Sequence, residues 1–204
     1  MRWSNIKNII IIKIMRILFH VCCAPCSASC IEGLGNKTLL DKNISVKFFW
    51  YNHNIHPHTE YQSRKESLAA LARDENIELL SIDEYGLKEF LESLEPEPAA
   101  GRENPDAAAR CAICYRTRLE RTAIKAKEQG FDAFSTTLLT SPYQKHDLIK
   151  QIGEECAAQS GLDFFYMDFR PWFRAGQKKA REAGSYMQKY CGCIFSQKER
   201  YLGK

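Results

Sequence analysis

The sequence predicts an α/β protein: a mainly parallel, Rossmann-like sheet of about five strands with helices on both faces, followed by a basic helical segment at the C-terminal end. Two observations carry this prediction. Short β-branched and aromatic runs alternate with longer stretches of helical periodicity from residue 16 to residue 169, with no internal repeat or low-complexity segment between them. At 204 residues, 45% hydrophobic and 26% charged, the chain has the composition of an ordinary globular protein and can bury one sizeable core.

The elements follow in order. The apolar run at residues 17–21 reads as a buried first strand, broken by Ala24-Pro25, with Ser27 capping a helix over 27–40 that Gly33 and Gly35 weaken. The run Ile44-Ser-Val-Lys-Phe-Phe-Trp-Tyr51 is a second strand, and Asn52 to Pro57 a loop at its end. A helix over 58–76 places Leu68, Leu71 and Ala72 on one face, and a third strand spans 77–82. A short helix over 87–94 leads into a Pro- and Gly-rich loop or lid at 95–106. A long helix over 106–129 ends at Gly130, a fitting C-cap. A fourth strand at 131–137, a helix over 143–159 closed by Gly161, and a fifth strand at 162–169 complete the alternation. Residues 1–15 are expected to be an extension outside the fold, and 16–204 a single catalytic domain whose last segment starts at about residue 170.

Charge is unevenly spread. Between residues 170 and 204 there are nine Lys/Arg and two Asp/Glu, a net of +7 in a chain whose total is +4, which leaves −3 on the rest. A basic tail on a slightly acidic body suits a polyanion, although a solvated helix face would look the same. The apolar patch at residues 9–15 is too short to span a membrane, which takes about 20 residues, so no membrane partner is expected. Nothing reads as a signal peptide, so a reducing, cytoplasmic location is expected for the nine cysteines, with metal or redox chemistry in place of structural disulfides.

Those cysteines fall into groups. Cys22, Cys23 and Cys26 follow the first strand directly, which places thiols at the carboxyl edge of the sheet, where open α/β sheets bind ligands. Adjacent side chains point apart in a strand, so Cys22 and Cys23 can share one centre only where the backbone curls. Cys111 and Cys114, three apart on a helix, share a face. Two such pairs make a four-coordinate soft-ligand site for zinc or an iron–sulfur cluster, with Arg110, Arg116 and Arg118 nearby to offset negative charge. Cys26 is close enough to be a further ligand. Cys191-Gly-Cys193 can form a small, readily reduced disulfide ring. Cys30 and Cys156 read as core residues. Of His53, His56 and His58, one useful histidine in a polar loop is favoured over a metal site, and His146 is expected at the surface or on substrate. Tyr51, Asn52, Tyr143 and Gln144 lie at strand ends, within reach of a ligand. Trp172 and Phe173 between Arg170 and Arg174 suit stacking on bases and pairing with phosphate, with an aromatic core cluster as the plainer account. No Gly-x-Gly-x-x-Gly or Walker-type loop follows the first strand, which disfavours dinucleotide and ATP chemistry.

Taken together, six blocks resemble the QueH-type epoxyqueuosine reductases: Leu18-Phe-His-Val-Cys-Cys-Ala-Pro-Cys-Ser27; Tyr51-Asn-x-Asn-Ile-His-Pro57 with Glu60-Tyr61; Arg110-Cys-x-x-Cys-Tyr-x-x-Arg-Leu119; Ser135-Thr-Thr-Leu-Leu-x-Ser-Pro-Tyr-Gln144; Asp168-Phe-Arg170 with Gly176; and Tyr190-Cys-Gly-Cys193. They span about residues 16–197 in the family's order, with His53 standing where the family commonly has proline. The resemblance implies reduction of the epoxide of epoxyqueuosine in tRNA to queuosine, the last step of queuosine biosynthesis. It implies a [4Fe-4S] cluster, assigned to Cys22, Cys23, Cys111 and Cys114, and an additional iron for which Cys26 is a candidate ligand. Cys191 and Cys193 would be a redox-active pair, with Tyr51 and His56 as candidate proton donors. The tRNA anticodon stem-loop would meet Arg170, Trp172, Arg174, Tyr143 and Gln144, and an electron donor such as ferredoxin or flavodoxin is implied. The rival readings are a zinc-binding, non-catalytic RNA-binding protein and an ATP-dependent tRNA-thiolating enzyme.

Overall fold

Strand β1 (Met15–Val21) runs through the middle of the sheet, and from Ile17 onward every one of its side chains is buried. An apolar run buried on both faces is what a central parallel strand requires. The structure is a computed structural model that describes residues 14–35, 43–94 and 107–203. β2 (Ile44–Trp50), β3 (Leu79–Ser81), β4 (Ala133–Thr136) and β5 (Asp163–Phe164) join β1 in the order β3-β2-β1-β4-β5. All pairings are parallel; Phe19 stands opposite Phe48 on one side and Ser135 on the other.

Helices α1 (Ala24–Gly35) and α2 (His58–Asp74) cross from β1 to β2 and from β2 to β3. After α3 (Leu87–Glu92), α4 (Ala107–Glu128) leads to β4 and α5 (His146–Ser160) to β5. The chain first steps outward from β1 in one direction and then returns in the other. With right-handed crossovers this puts α1 and α2 on one face of the sheet and α4 and α5 on the opposite face. β1 is therefore the strand at which the order reverses, and the crevice beyond its carboxyl end is the natural ligand site. The basic tail forms α6 (Phe173–Glu182), packed on α1, and α7 (Ile194–Tyr201).

Several boundaries differ from those predicted. α1 begins at Ala24, with Pro25 in its first turn, where a missing N–H does no harm. Ser27 is therefore no cap: it lies inside the helix and its hydroxyl donates to the Cys23 carbonyl at 2.9 Å. β1 starts at Met15, so the strand takes in one residue of the expected extension; residues 1–13 lie outside the described residues, as do the end of the first predicted helix and the whole of the predicted lid. The fifth strand keeps two residues of the eight expected, and a single turn of tight helix at Arg170–Trp172 leads on to α6. α5 starts at His146, later than predicted. Gly130 and Gly161 do close α4 and α5 with positive φ angles of 66° and 73°. Among the described residues no helix is long and apolar enough to cross a membrane.

One glycine sets how closely the tail can approach. A Cβ on Gly176 would lie 2.3 Å from the backbone nitrogen and 2.4 Å from the Cα of Ser29, so α6 rests directly on the backbone of α1. Alanine favours a helix over glycine by about 1 kcal/mol, but overpacking against an unyielding backbone costs about 1–3 kcal/mol and wins where the helices cannot separate. Gly176→Ala is expected to lower the thermal midpoint by about 2–6 °C, measured by circular dichroism.

Candidate metal centre and redox turn

The backbone turns sharply between the end of β1 and the first residue of α1, and Cys22 and Cys23 occupy that turn. The curl cancels the opposed directions of neighbouring side chains: their Sγ atoms lie 3.7 Å apart. Cys26, in the first turn of α1, brings a third thiol, and the three sulfurs lie within 4.8 Å of one another, all buried. The centre is lined with donors. Thr137, just after β4, donates to Cys22 Sγ at 3.4 Å, the Cys26 amide donates to Cys23 Sγ at 3.4 Å, and Gln188 Nε2 donates to Cys23 Sγ at 2.9 Å. Hydrogen bonds from Cys23 and Cys26 hold the Cys22 thiol well below its usual pKa, while burial pushes Cys23 up and its two thiol neighbours push Cys26 up. One thiolate shared among three sulfurs is a preformed soft-ligand site. Three buried thiols and the partnerless Gln188 Oε1 beside them fit an iron or iron–sulfur group.

The helical pair does not join this trio, but it lies close by. Asn54 Nδ2 donates to Cys114 Sγ at 3.2 Å and its Oδ1 accepts from Arg118 at 2.6 Å. Burial pushes Cys114 up, with Cys191 and Cys22 adding to the effect, and Cys111 is pushed up by burial and then by Cys114 and Cys191. Of the three arginines around the pair, only Arg118 is buried. Arg110 pairs with Glu199, and Arg116 with Glu155 at 2.5 Å.

The Cys191-Gly192-Cys193 turn comes to the same edge from the C-terminal tail. Its thiols are 3.7 Å apart, and the Ser196 hydroxyl lies 3.0 Å from Cys191 Sγ and 3.5 Å from Cys193 Sγ. The hydrogen bond from Cys193 pulls the Cys191 thiol down to about 5, while the same contact pushes Cys193 up. Cys191 is thus the more acidic thiol of the pair, with Cys193 alongside.

The remaining expected residues are distributed around this edge. Tyr51 stacks on His53 at 5.3 Å under the Arg121 guanidinium, and His56 Nδ1 lies 2.8 Å from the Tyr85 hydroxyl. His53 packs on Phe90 while His56 and His58 both face Tyr85, and the three share no centre among the described residues. Gln144 accepts from the Tyr115 hydroxyl at 2.6 Å, and Tyr143 is 86% exposed. Arg170 is engaged by both oxygens of Asp168, Arg174 is exposed, and Trp172 is half-buried against Phe169 and Gly33. His146 is buried, not at the surface, with its Nε2 3.1 Å from the Ser141 carbonyl. Cys30 and Cys156 are core residues as expected.

Four residues that the sequence did not single out complete the site. His20, held at about 3 by burial, sits between Thr136 at 2.9 Å and the Tyr51 carbonyl at 3.2 Å and ties β1, β2 and β4 together at their carboxyl ends. Gln188, Asn54 and Arg64 are the others. His20 and Asn54 stood inside matched blocks; Gln188 and Arg64 gave no local signal.

A family model described as epoxyqueuosine reductase QueH matches residues 17–199. The chain belongs to the epoxyqueuosine reductase QueH family. Curated QueH relatives agree along nearly the whole length. Epoxyqueuosine reductase QueH of Dehalococcoides mccartyi is 32% identical over 186 residues, 91% of this chain and 94% of that protein. That of Thermotoga maritima is 33% identical over 186 residues, 90% and 91% of the two chains. The QueH of Acinetobacter baylyi is 36% identical over 186 residues, 89% of this chain and 80% of its own.

Proposed function

We propose that this chain reduces the epoxide of epoxyqueuosine in tRNA to the alkene of queuosine. The observation that carries the reading is the match to QueH over residues 17–199, which brings the thiols at the β1 edge and the Cys191-Gly-Cys193 turn within one family. Cys22, Cys23, Cys111 and Cys114 would hold a [4Fe-4S] cluster and Cys26 would help hold an adjacent iron. When bound, these groups supply electrons one at a time and a Lewis-acidic position for oxygen.

The overall change takes two electrons and two protons. Both C–O bonds of the epoxide break, a C=C bond forms and the oxygen leaves as water. Cys191 and Cys193 can provide that pair, closing to a disulfide as they lose two electrons and two protons, and an external donor of the ferredoxin or flavodoxin class then reopens it. Tyr51 and His56 would hand a proton to the departing oxygen. The tail, with Arg170, Trp172 and Arg174, and the β4 edge, with Tyr143 and Gln144, would meet the anticodon stem-loop, chiefly through phosphates. Cytoplasmic tRNA is the matching location.

The test is direct. Anaerobically prepared protein, a low-potential reductant and tRNA carrying epoxyqueuosine should yield queuosine by nucleoside mass spectrometry; unchanged epoxyqueuosine with an iron-loaded protein would refute the activity. A second reading has one observation behind it. A tetrahedral ion with metal–sulfur bonds of about 2.3 Å spaces its sulfurs by about 3.8 Å, close to the gap between Cys22 and Cys23. A single zinc held by the trio in a non-catalytic RNA-binding protein would fit that gap.

A further inference from the structure

We propose that Arg64 is the positioning residue of the Cys191-Gly192-Cys193 turn, its guanidinium fork holding the turn's backbone and thereby setting the thiol–disulfide equilibrium of the pair. This rests on the reading of Cys191 and Cys193 as a redox pair.

Arg64 sits in the middle of α2 and is 1% exposed. Arginine is almost never so buried unless its donors are fully occupied. Here the occupation is divided between two elements. Nε donates to Glu60 Oε1 at 2.7 Å, one turn earlier on the same helix. Nη1 donates to the Cys191 carbonyl at 3.0 Å and Nη2 to the Tyr190 carbonyl at 2.9 Å, so both arms of the fork capture successive peptides of the redox turn. The Tyr190 ring lies over the same guanidinium at 5.6 Å, and the Tyr186 hydroxyl donates to the second oxygen of Glu60 at 2.5 Å. On its other side the turn is fixed by the His56 amide, which donates to the Gly192 carbonyl at 2.8 Å.

The turn fits closely against the fork. Gly192 has φ +121°, and a Cβ there would stand 3.1 Å from Arg64 Nη1 and 3.1 Å from Ile55 Cγ1. Stability alone is a poor reason for such an arrangement, because apolar side chains of like volume commonly replace buried ion pairs without loss. What an apolar side chain or lysine cannot do is bind two adjacent carbonyls in one plane.

The consequence is chemical. Oxidation joins the two sulfurs and releases two electrons and two protons. A fixed positive charge beside the turn, together with a backbone held in the separated dithiol form, favours the reduced state, and a stabilised reduced state makes the disulfide a stronger oxidant. Groups facing Cys191 from elsewhere are Cys193 on its own turn, Arg64 of α2, and Cys111, Cys114 and Tyr115 of α4. Among these Arg64 is the cation that also touches the turn's backbone.

The test is to equilibrate the full-length, iron-loaded protein in reduced and oxidised dithiothreitol mixtures and measure the Cys191–Cys193 disulfide by peptide mass spectrometry. Arg64→Gln should shift the equilibrium toward the disulfide by about tenfold, which is about 30 mV for a two-electron couple. Arg64→Lys keeps the charge but loses the fork and should fall between, at about threefold. Where Arg64→Gln does not fold, Arg64→Lys decides alone. An equilibrium within twofold of the parent in every folded variant overturns the proposal while leaving the redox pair intact. Absence of any Cys191–Cys193 disulfide in the parent overturns both.

Discussion

Cys23→Ala is expected to give a protein that folds but retains almost no iron and no reductase activity. Cys23 is 1% exposed, its sulfur lies 3.7 Å from that of Cys22, and it accepts from Gln188 and from the Cys26 amide. Even an outer partner of a metal ligand is worth about 10–100-fold in affinity, so loss of a ligand should exceed that. Cys30→Ala is the control. It removes the same kind of side chain seven residues further on, inside α1, where the thiol faces Thr140 at 3.1 Å. The cavity left should cost about 1 kcal/mol of stability and leave iron content unchanged. Cys111→Ala is the sharper probe, because Cys111 stands outside the compact trio. Loss of iron and sulfide there supports one cluster spanning the β1 turn and α4, and full retention removes Cys111 from the ligand set. Iron and sulfide assays on the three purified variants decide between these outcomes.

Replacing Cys191, Cys193 or both by alanine should separate turnover from cofactor loading. These thiols lie on the tail, and their backbone is held by Arg64 and His56 independently of the sulfurs. Iron content and tRNA binding should therefore stay at the parent level, while queuosine formation falls by about 100-fold or more, equal to about 2.7 kcal/mol of barrier. The measurement is turnover against iron content for each variant. Parent-level turnover in the double variant would remove the pair from the mechanism and leave it a structural turn.

How far the site was legible depends on the distance over which its contacts act. The β1 run and the cysteines directly after it are local features, and parallel-sheet physics carries them to the carboxyl edge without further information. The same holds for α4 and its Cys111/Cys114 face, and for the glycines that close α4 and α5. The apolar face of α2 was read correctly at Leu68, Leu71 and Ala72. What escaped was set by residues remote in sequence. Gln188 reaches Cys23 across 165 positions and Arg64 reaches Cys191 across 127, and neither residue type announces such a contact. The β5 segment shrank to two residues because only Ala133 and Phe134 of β4 offer it partners. Ser27 misled because its hydroxyl can bond backward inside a helix as readily as it caps one, and Pro25 is tolerated in a first turn. Cys26 joined Cys22 and Cys23 more tightly than the helical pair did because α1 begins three residues earlier than the apolar pattern suggested.

The account stands most directly on the metal and sulfide content of protein purified without air, read together with its electron paramagnetic resonance spectrum after reduction. It predicts about four or more iron atoms and about four sulfides per chain, with the signal of a reduced [4Fe-4S] cluster. About one zinc per chain with neither iron nor sulfide would contradict it.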